Sequence, residues 1–462
     1  MRSGEADEGR LRLTELADMY PDTVWAARAS YLLAGFAAEE GSREALALLD
    51  DAATLTDIGD YILLDRALAL KNMGLLDESV AAYDAMPVLY PESPLNSDAL
   101  FLKGTALMEA GSYERARREF SAFIKENPED PLVPEALLDI AVSSLSLDDK
   151  AGAAKAANMI LLTYPAHQTA RYAAALVEEL RRDIAVPEFT LKERLQRAER
   201  LFSYARYTEA IAEYSYLSRN AEGKDRLRSM LKTAVCEVRL KRYDRAEAAL
   251  KAYLRLKDPD RESTALYLLA LTAARQGKED LLADSIRKMT VKYPKSDERA
   301  SSLLLLANLY GGRGFKDKAT SILRQVASEF RNSYSADEAL WRIGWSAYRA
   351  GRYAEAARTF GSYGPGNRQK GQFLYWTGRS LEKTGRKKEA AAYYNRVCAS
   401  EPSYYCHTAR TRLDIINGVR AKAFASFQEE GPQYQVPDEP TAEAGKNNDP
   451  YGEDAGGLVN DA

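Results

Sequence analysis

Residues 98–128 read DALFLKGTALMEAGSYERARREFSAFIKENP. Apolar residues recur at three- and four-residue intervals on both sides of a short polar break, the pattern of two amphipathic helices joined by a tight turn. Gly104 lies midway along the first helix, Gly111 and Tyr113 mark the turn, and Ala116 and Phe120 share one face of the second helix. Pro128 closes the unit, because proline has no N–H to donate and biases its predecessor away from helix. Small residues at Gly104 and Ala116 let the two helices cross closely, with larger apolar groups filling around them.

The same offsets recur along the chain. Gly74/Ser79/Tyr83/Pro91, Gly111/Ala116/Phe120/Pro128 and Gly385/Ala390/Tyr394/Pro402 carry the full frame, and Gly351/Ala356/Phe360 carries it without the proline. Gly277/Leu282/Ile286/Pro294 and Gly314/Ala319/Leu323 keep it with aliphatic residues, and Ala210/Tyr214 and Ala246/Leu250 keep it without the turn glycine. The second-helix anchors Ser79, Ala116, Ala153, Ala210, Ala246, Leu282, Ala319, Ala356 and Ala390 are spaced by 37, 37, 57, 36, 36, 37, 37 and 34 residues. A period in the mid-thirties with a turn glycine, a small anchor, an aromatic and a closing proline resembles the tetratricopeptide repeat. The expected fold is an all-α, right-handed superhelical solenoid of about ten helix pairs, each stacking on its neighbours to bury the face it cannot bury alone.

Composition agrees. The chain has 462 residues, 46% of them hydrophobic, and a formal charge of −4 from 64 Lys plus Arg against 68 Asp plus Glu. The charges are interspersed, as on solvated outer helix faces. No basic domain is present to hold nucleic acid. No apolar run approaches the ~18 residues of a membrane span. The N-terminus, MRSGEADEGRLRLTEL, lacks the apolar core of a signal peptide. LTELADMYP reads as the second helix of a pair whose first helix is missing, so Met1 is expected to open a trimmed chain.

Four segments follow. Residues 1–182 read as an N-terminal array. Residues 183–190, DIAVPEFT, are the one non-helical stretch of their kind and are expected to be a joint. Residues 191–428 read as a second array with a closing helix. Residues 429–462 are acidic and rich in Pro and Gly, with eight acids and one Lys from Glu430 onward, and are expected to be a disordered linker or tail. The chain stops inside that segment, an indication that something follows it.

Most chemistry is hard to place. GSYGPG (361–366) has no preceding strand and no following Gly-Lys-Ser/Thr, so it reads as a loop joining repeats and not as a phosphate site. The two histidines, His167 and His407, have no second ligand at helical spacing, so neither a metal nor a cofactor is expected. Cys398 and Cys406 flank the Pro402 turn on adjoining helices. They form either a bridge, in an oxidising compartment, or two buried thiols.

Aromatic residues say more. Trp341, Trp345 and Tyr348 fall at i, i+4 and i+7 on one helix face. The resemblance to tetratricopeptide repeats implies that first helices line a concave surface. It also implies that the positions three before, one after and four after the first-helix Gly face a ligand. About Gly344 these positions are Trp341, Trp345 and Tyr348, and neighbouring repeats place Tyr375, Arg379 and Tyr267 at equivalent sites. The earlier array places Phe101 and Met108 there. Such a groove either stacks on sugar rings or grips a peptide. The alternative is that the rings only pack against neighbouring helices.

Four stretches resemble a more particular family. DEALWRIGWSAYRAGRYAEAARTF (337–360), FLYWTGRSLEKTGRKKEAAAYYNRV (373–397), EPSYYCHTARTRL (401–413) and IGDYILLDRALALKNMGLLDESVAAYDAM (58–86) are similar to the superhelical arm of soluble lytic murein transglycosylases. That resemblance implies a periplasmic or cell-envelope protein whose arm embraces peptidoglycan glycan strands or envelope partners. The family's catalytic Glu-Ser motif has a Gly-Ala and Gly-Leu-Met-Gln sequel that is missing after Glu-Ser at 78–79, 92–93 and 262–263. No catalytic residue is therefore carried over, and an enzyme domain is expected beyond Ala462 if at all. The rival expectation is a stand-alone adaptor that binds envelope assembly or division proteins on its concave face, with a cytoplasmic location as the alternative to the periplasm.

Overall fold

The structure is a computed structural model describing residues 3–363, 370–399 and 403–417. The expected tail, 429–462, and the glycines at 364 and 366 of the GSYGPG loop lie outside these residues. Among the described residues there is no strand, and the chain is an all-α solenoid of stacked helix pairs. It divides into two compact units, Met1–Arg206 and Tyr207–Ala462. No helix among the described residues is long and apolar enough to cross a membrane.

The first unit opens with α1 (Ser3–Met19) and four pairs: α2 (Val24–Glu39) with α3 (Glu44–Ala52), α4 (Gly59–Asn72) with α5 (Leu76–Leu89), α6 (Asn96–Glu109) with α7 (Tyr113–Glu126), and α8 (Val133–Ser146) with α9 (Lys150–Thr163). Then α10 (Thr169–Leu180) has no second helix of its own. It and the extended stretch after it account for the 57-residue step between anchors. Val186 and Phe189 of that stretch pack on the core of this unit. α11 (Leu191–Ser203) begins with a capping box between Thr190 and Glu193. Arg197 and Arg200 of α11 donate to the carbonyl oxygens of Leu161 and Leu162 at 3.0 and 2.7 Å, satisfying groups that the end of α9 leaves open.

The second unit starts at α12 (Tyr207–Asn220) and stacks five pairs: α13 (Gly223–Arg239) with α14 (Tyr243–Leu254), α15 (Glu262–Arg275) with α16 (Glu279–Lys292), α17 (Asp297–Gly312) with α18 (Lys316–Glu329), α19 (Tyr334–Arg349) with α20 (Tyr353–Gly361), and α21 (Lys370–Lys383) with α22 (Lys387–Cys398). α23 (Tyr404–Ile416) follows and packs against α22 and α21.

Three of the pairs share one packing couple. In α6/α7, a Cβ on Gly104 would lie 2.7 Å from the ring of Phe120. Only glycine lets that ring sit against the backbone, and Phe120 is fully buried there. Sixteen residues separate the two, and the same offset joins Gly344 to Phe360 and Gly378 to Tyr394, with Cβ contacts of 2.6 and 2.7 Å. All nine anchors from Ser79 to Ala390 are buried. Ser79 is the polar one, and its hydroxyl donates to the carbonyl of Ala67 at 2.7 Å, which compensates its burial.

The turn is equally regular. After α6, Gly111 takes φ +70°, its N–H bonds the Met108 carbonyl, and the Ser112 N–H reaches back to Leu107. These two hydrogen bonds close open carbonyls of the helix end and require a left-handed residue. Where the sequence lacks the turn glycine, Asp148 and Lys241 adopt the same conformation, with φ of +57° at each.

Candidate functional site

The site is built on α19, α21 and α23, all in the second unit. Gly344 takes the Phe360 ring, and Trp341, Trp345 and Tyr348, three before, one after and four after it, line the adjoining strip of α19, with Trp341 itself against Phe360. Trp341 and Trp345 are stacked 5.8 Å apart with 11° between planes, and Trp345 and Tyr348 are 5.8 Å apart with 4°. Trp376 of α21 meets this ladder edge-on, 4.7 Å from Trp345, 5.1 Å from Tyr348 and 6.4 Å from Trp341. The inner end of the ladder is anchored, since Trp341 also touches Phe360 and Phe373, both fully buried. All four rings of the ladder and its crossbar remain half-buried. Edge-to-face and offset arrangements of this kind are preferred by ring quadrupoles and hold the rings stiffly.

Beside the ladder lies a polar corner. Tyr375 is 5.5 Å from Trp376, 5.8 Å from Tyr394 and 5.6 Å from Tyr405 of α23. Glu382 accepts from the Tyr394 hydroxyl at 2.7 Å and from Arg379 at 3.1 Å, and Arg412 of α23 donates to both of its oxygens. Burial alone would raise the Glu382 carboxyl, but the bonds from Arg412 and Tyr394 outweigh it and hold the group below its usual range. Burial raises the Tyr348 and Tyr375 hydroxyls, so both stay protonated at neutral pH. Two guanidiniums and one carboxylate, ringed by tyrosines, make a corner that can donate hydrogen bonds and cover an apolar group together.

The structure thus brings Trp341, Trp345, Tyr348, Tyr375 and Arg379 together. Two others lie elsewhere. Tyr267 is 5% exposed, because α15 is apolar on every side and residues 265–273 are all buried. Phe101 belongs to the first unit, half-buried against Phe120 and Phe123 at 5.6 and 5.5 Å, with Met108 two turns along the same face and packed on the same core. Four members of the site were not anticipated: Arg412 of α23 and Tyr394 of α22, which reach Glu382 from other helices, and Glu382 and Trp376 of α21. Glu382 stands four after Gly378, the position that Tyr348 holds after Gly344, so the register already pointed to it. Trp376 stands two before Gly378, outside the expected positions, and enters only through the way α21 lies across α19.

Cys398, half-buried at the end of α22, and Cys406, buried in the first turn of α23, lie sulfur to sulfur with Cα atoms 4.7 Å apart. Cys236 is buried in α13. Among the described residues no group of three or more His, Cys, Asp or Glu is placed to hold a metal ion.

Sequence models of the tetratricopeptide repeat match residues 64–131, 101–167, 195–262, 304–368 and 372–404, together more than half of the chain. No curated protein sequence matches it. Among solved structures, the type IV pilus biogenesis factor PilW is 16% identical, with 54% of this chain and all of that one covered and a TM-score of 0.29. A tetratricopeptide repeat protein from Parabacteroides merdae is also 16% identical, covering 61% of this chain and 96% of its own, with a TM-score of 0.25. The TPR2AB domain of yeast Sti1, solved as a complex with pHSP90, is 14% identical, covering 60% and 98%, with a TM-score of 0.25. Scores this low carry no inference about partner or site.

Proposed function

This chain belongs to the tetratricopeptide-repeat family, and from that premise we propose that it is a protein-binding scaffold whose second unit holds a partner segment on the Trp341–Trp345–Tyr348 ladder and the Arg379 corner. One observation carries the reading. Four large rings stay half-buried beside a guanidinium, on helices whose other faces are filled by core. Rigid amphipathic rings with a neighbouring arginine are what binding hot spots are made of. The ladder's rings already cover one another's faces, which leaves edges and grooves for an incoming peptide. A sugar ring would need an open ring face.

The test is recovery of a crosslinked partner from the source cells with wild-type protein, Trp345→Ala and Arg379→Ala. The reading requires a specific partner that both variants lose; free monomer alone in the wild-type experiment would sink it. A second reading has its own support. The stretch similar to the arm of lytic murein transglycosylases, 337–413, is the stretch that builds this face. In that reading the chain is a non-catalytic arm in the periplasm or cell envelope, and glycan strands are its ligand. Cosedimentation with isolated sacculi that Trp345→Ala abolishes would favour it over the peptide.

A further inference from the structure

We propose that Cys398 and Cys406 form a thiol–disulfide clasp that fastens α23 to α22, and that the aromatic–arginine face is complete only when the clasp is closed. The second half rests on the reading of that face given above; the first half does not.

α23 is the last described helix. Among the described residues it packs mainly on α22 and less extensively on α21, so a link at its first turn adds to a short set of holds. Yet it supplies Tyr405, whose ring lies tilted against Tyr375, and Arg412, which pairs with Glu382. A link at its first turn therefore governs both.

The Cα separation of 4.7 Å lies within the range a disulfide spans. The two sulfurs differ in a way that gives the exchange a direction. Cys398 is half-buried and open to an incoming thiolate. Cys406 is 4% exposed, and its N–H bonds the Ser403 hydroxyl at the start of α23. An incoming thiolate therefore reaches the Cys398 sulfur, and Cys406 is the sulfur displaced. Opening then runs in two steps. A small-molecule thiolate attacks the Cys398 sulfur, forming a mixed disulfide and releasing the Cys406 thiolate. A second thiolate attacks the mixed disulfide, releasing Cys398 and a small disulfide. The protein sulfurs gain two electrons, and two protons complete the thiols. Closing is the reverse, with a small disulfide such as oxidised glutathione as oxidant.

The experiment is hydrogen exchange on the full chain, oxidised with glutathione disulfide or reduced with dithiothreitol, with thiols counted by alkylation and mass. The expected result is no free thiol at 398 or 406 when oxidised. On reduction, amides 404–416 should exchange on the order of tens of times faster, while α13–α18 stay unchanged. Cys406→Ser should show the fast pattern in both buffers, and the wild-type comparison stands alone if that variant folds poorly. Two alkylated thiols in the oxidised protein, or equal α23 protection in both states, overturns the clasp. Partner binding measured alongside separates the two halves. Binding lost in Trp345→Ala but equal in both redox states overturns the coupling. Binding indifferent to Trp345→Ala overturns the reading of the face and leaves the clasp standing.

Discussion

The α6/α7 pair of the first unit and the α19/α20 pair of the second are the same object inside and different objects outside. In each, a glycine takes a phenylalanine ring against its backbone, Gly104 with Phe120 and Gly344 with Phe360. In each, the turn glycine is left-handed, Gly111 at +70° and Gly351 at +75°. The surface positions then diverge. Phe101, Thr105 and Met108 in one pair become Trp341, Trp345 and Tyr348 in the other. Phe101 packs back onto Phe120 and Phe123, whereas Trp345 stacks on rings that are themselves half-buried. The packing couple makes the pair, and the positions it leaves free can be spent on core or on a ligand.

Removing the ring tests whether the interior rule is shared. Phe120→Ala and Phe360→Ala each leave a cavity in a filled core and should cost about 3–5 kcal/mol. Urea unfolding reads both, and a large inequality would break the parallel. Adding a methyl to the partner is the milder version. Gly104→Ala and Gly344→Ala should each cost about 1–3 kcal/mol, because the ring must move off the backbone. The exterior contrast is sharpened by Trp345→Ala against Phe101→Ala. The first should lower partner affinity at least tenfold, about 1.4 kcal/mol, with a smaller loss of stability than Phe120→Ala. The second should lower stability and leave binding unchanged.

Acid should separate the two units further. Burial, reinforced by Glu135, raises the Asp139 carboxyl of α8 to about 6, so folding there is favoured as pH falls through that value and penalised above it. Glu382 is shifted down, so its contribution is present above the ordinary glutamate range and lost as pH falls below it. Moving from pH 7 to 5 should therefore strengthen the first unit and leave α23 alone, and lower pH should loosen α23. Unfolding curves at each pH check this, with Asp139→Asn expected to flatten the change between 7 and 5. The smallest effect concerns the turn. Lys241→Gly relieves a left-handed side chain at a solvent-facing position and should stabilise by about half a kcal/mol.

Much of this was open to reading before any coordinates. The frame of turn glycine, small anchor and aromatic, Gly111, Ala116 and Phe120, repeats down the chain because its contacts are local, but that Gly104 takes the Phe120 ring, and not only the close approach of Ala116, is seen in the structure. The turn residues without glycine, Asp148 and Lys241, were legible only as an unbroken spacing, since their side chains disguise the conformation the turn imposes. The site was partly legible. Trp341, Trp345 and Tyr348 share a face by helical spacing, a property of one helix. Trp376 joins them from a different helix, α21, whose Phe373 packs on Trp341 and Phe360. Tyr267 occupies an equivalent register position, but α15 carries apolar residues all round, and periodicity cannot say which of its faces is covered.

The sixteen-residue offset between each ring and its partner backbone has a consequence for how such a chain can change length. Inserting one residue in the turn within a pair would rotate the second helix by about 100°, swinging Phe120 away from Gly104. The links between pairs are under no such constraint, as the 57-residue step and the 34-residue step in the same molecule show. Genes for this chain can thus be shortened or extended by whole repeats, with cuts between one pair and the next, while the turn inside each pair should tolerate almost no insertion or deletion.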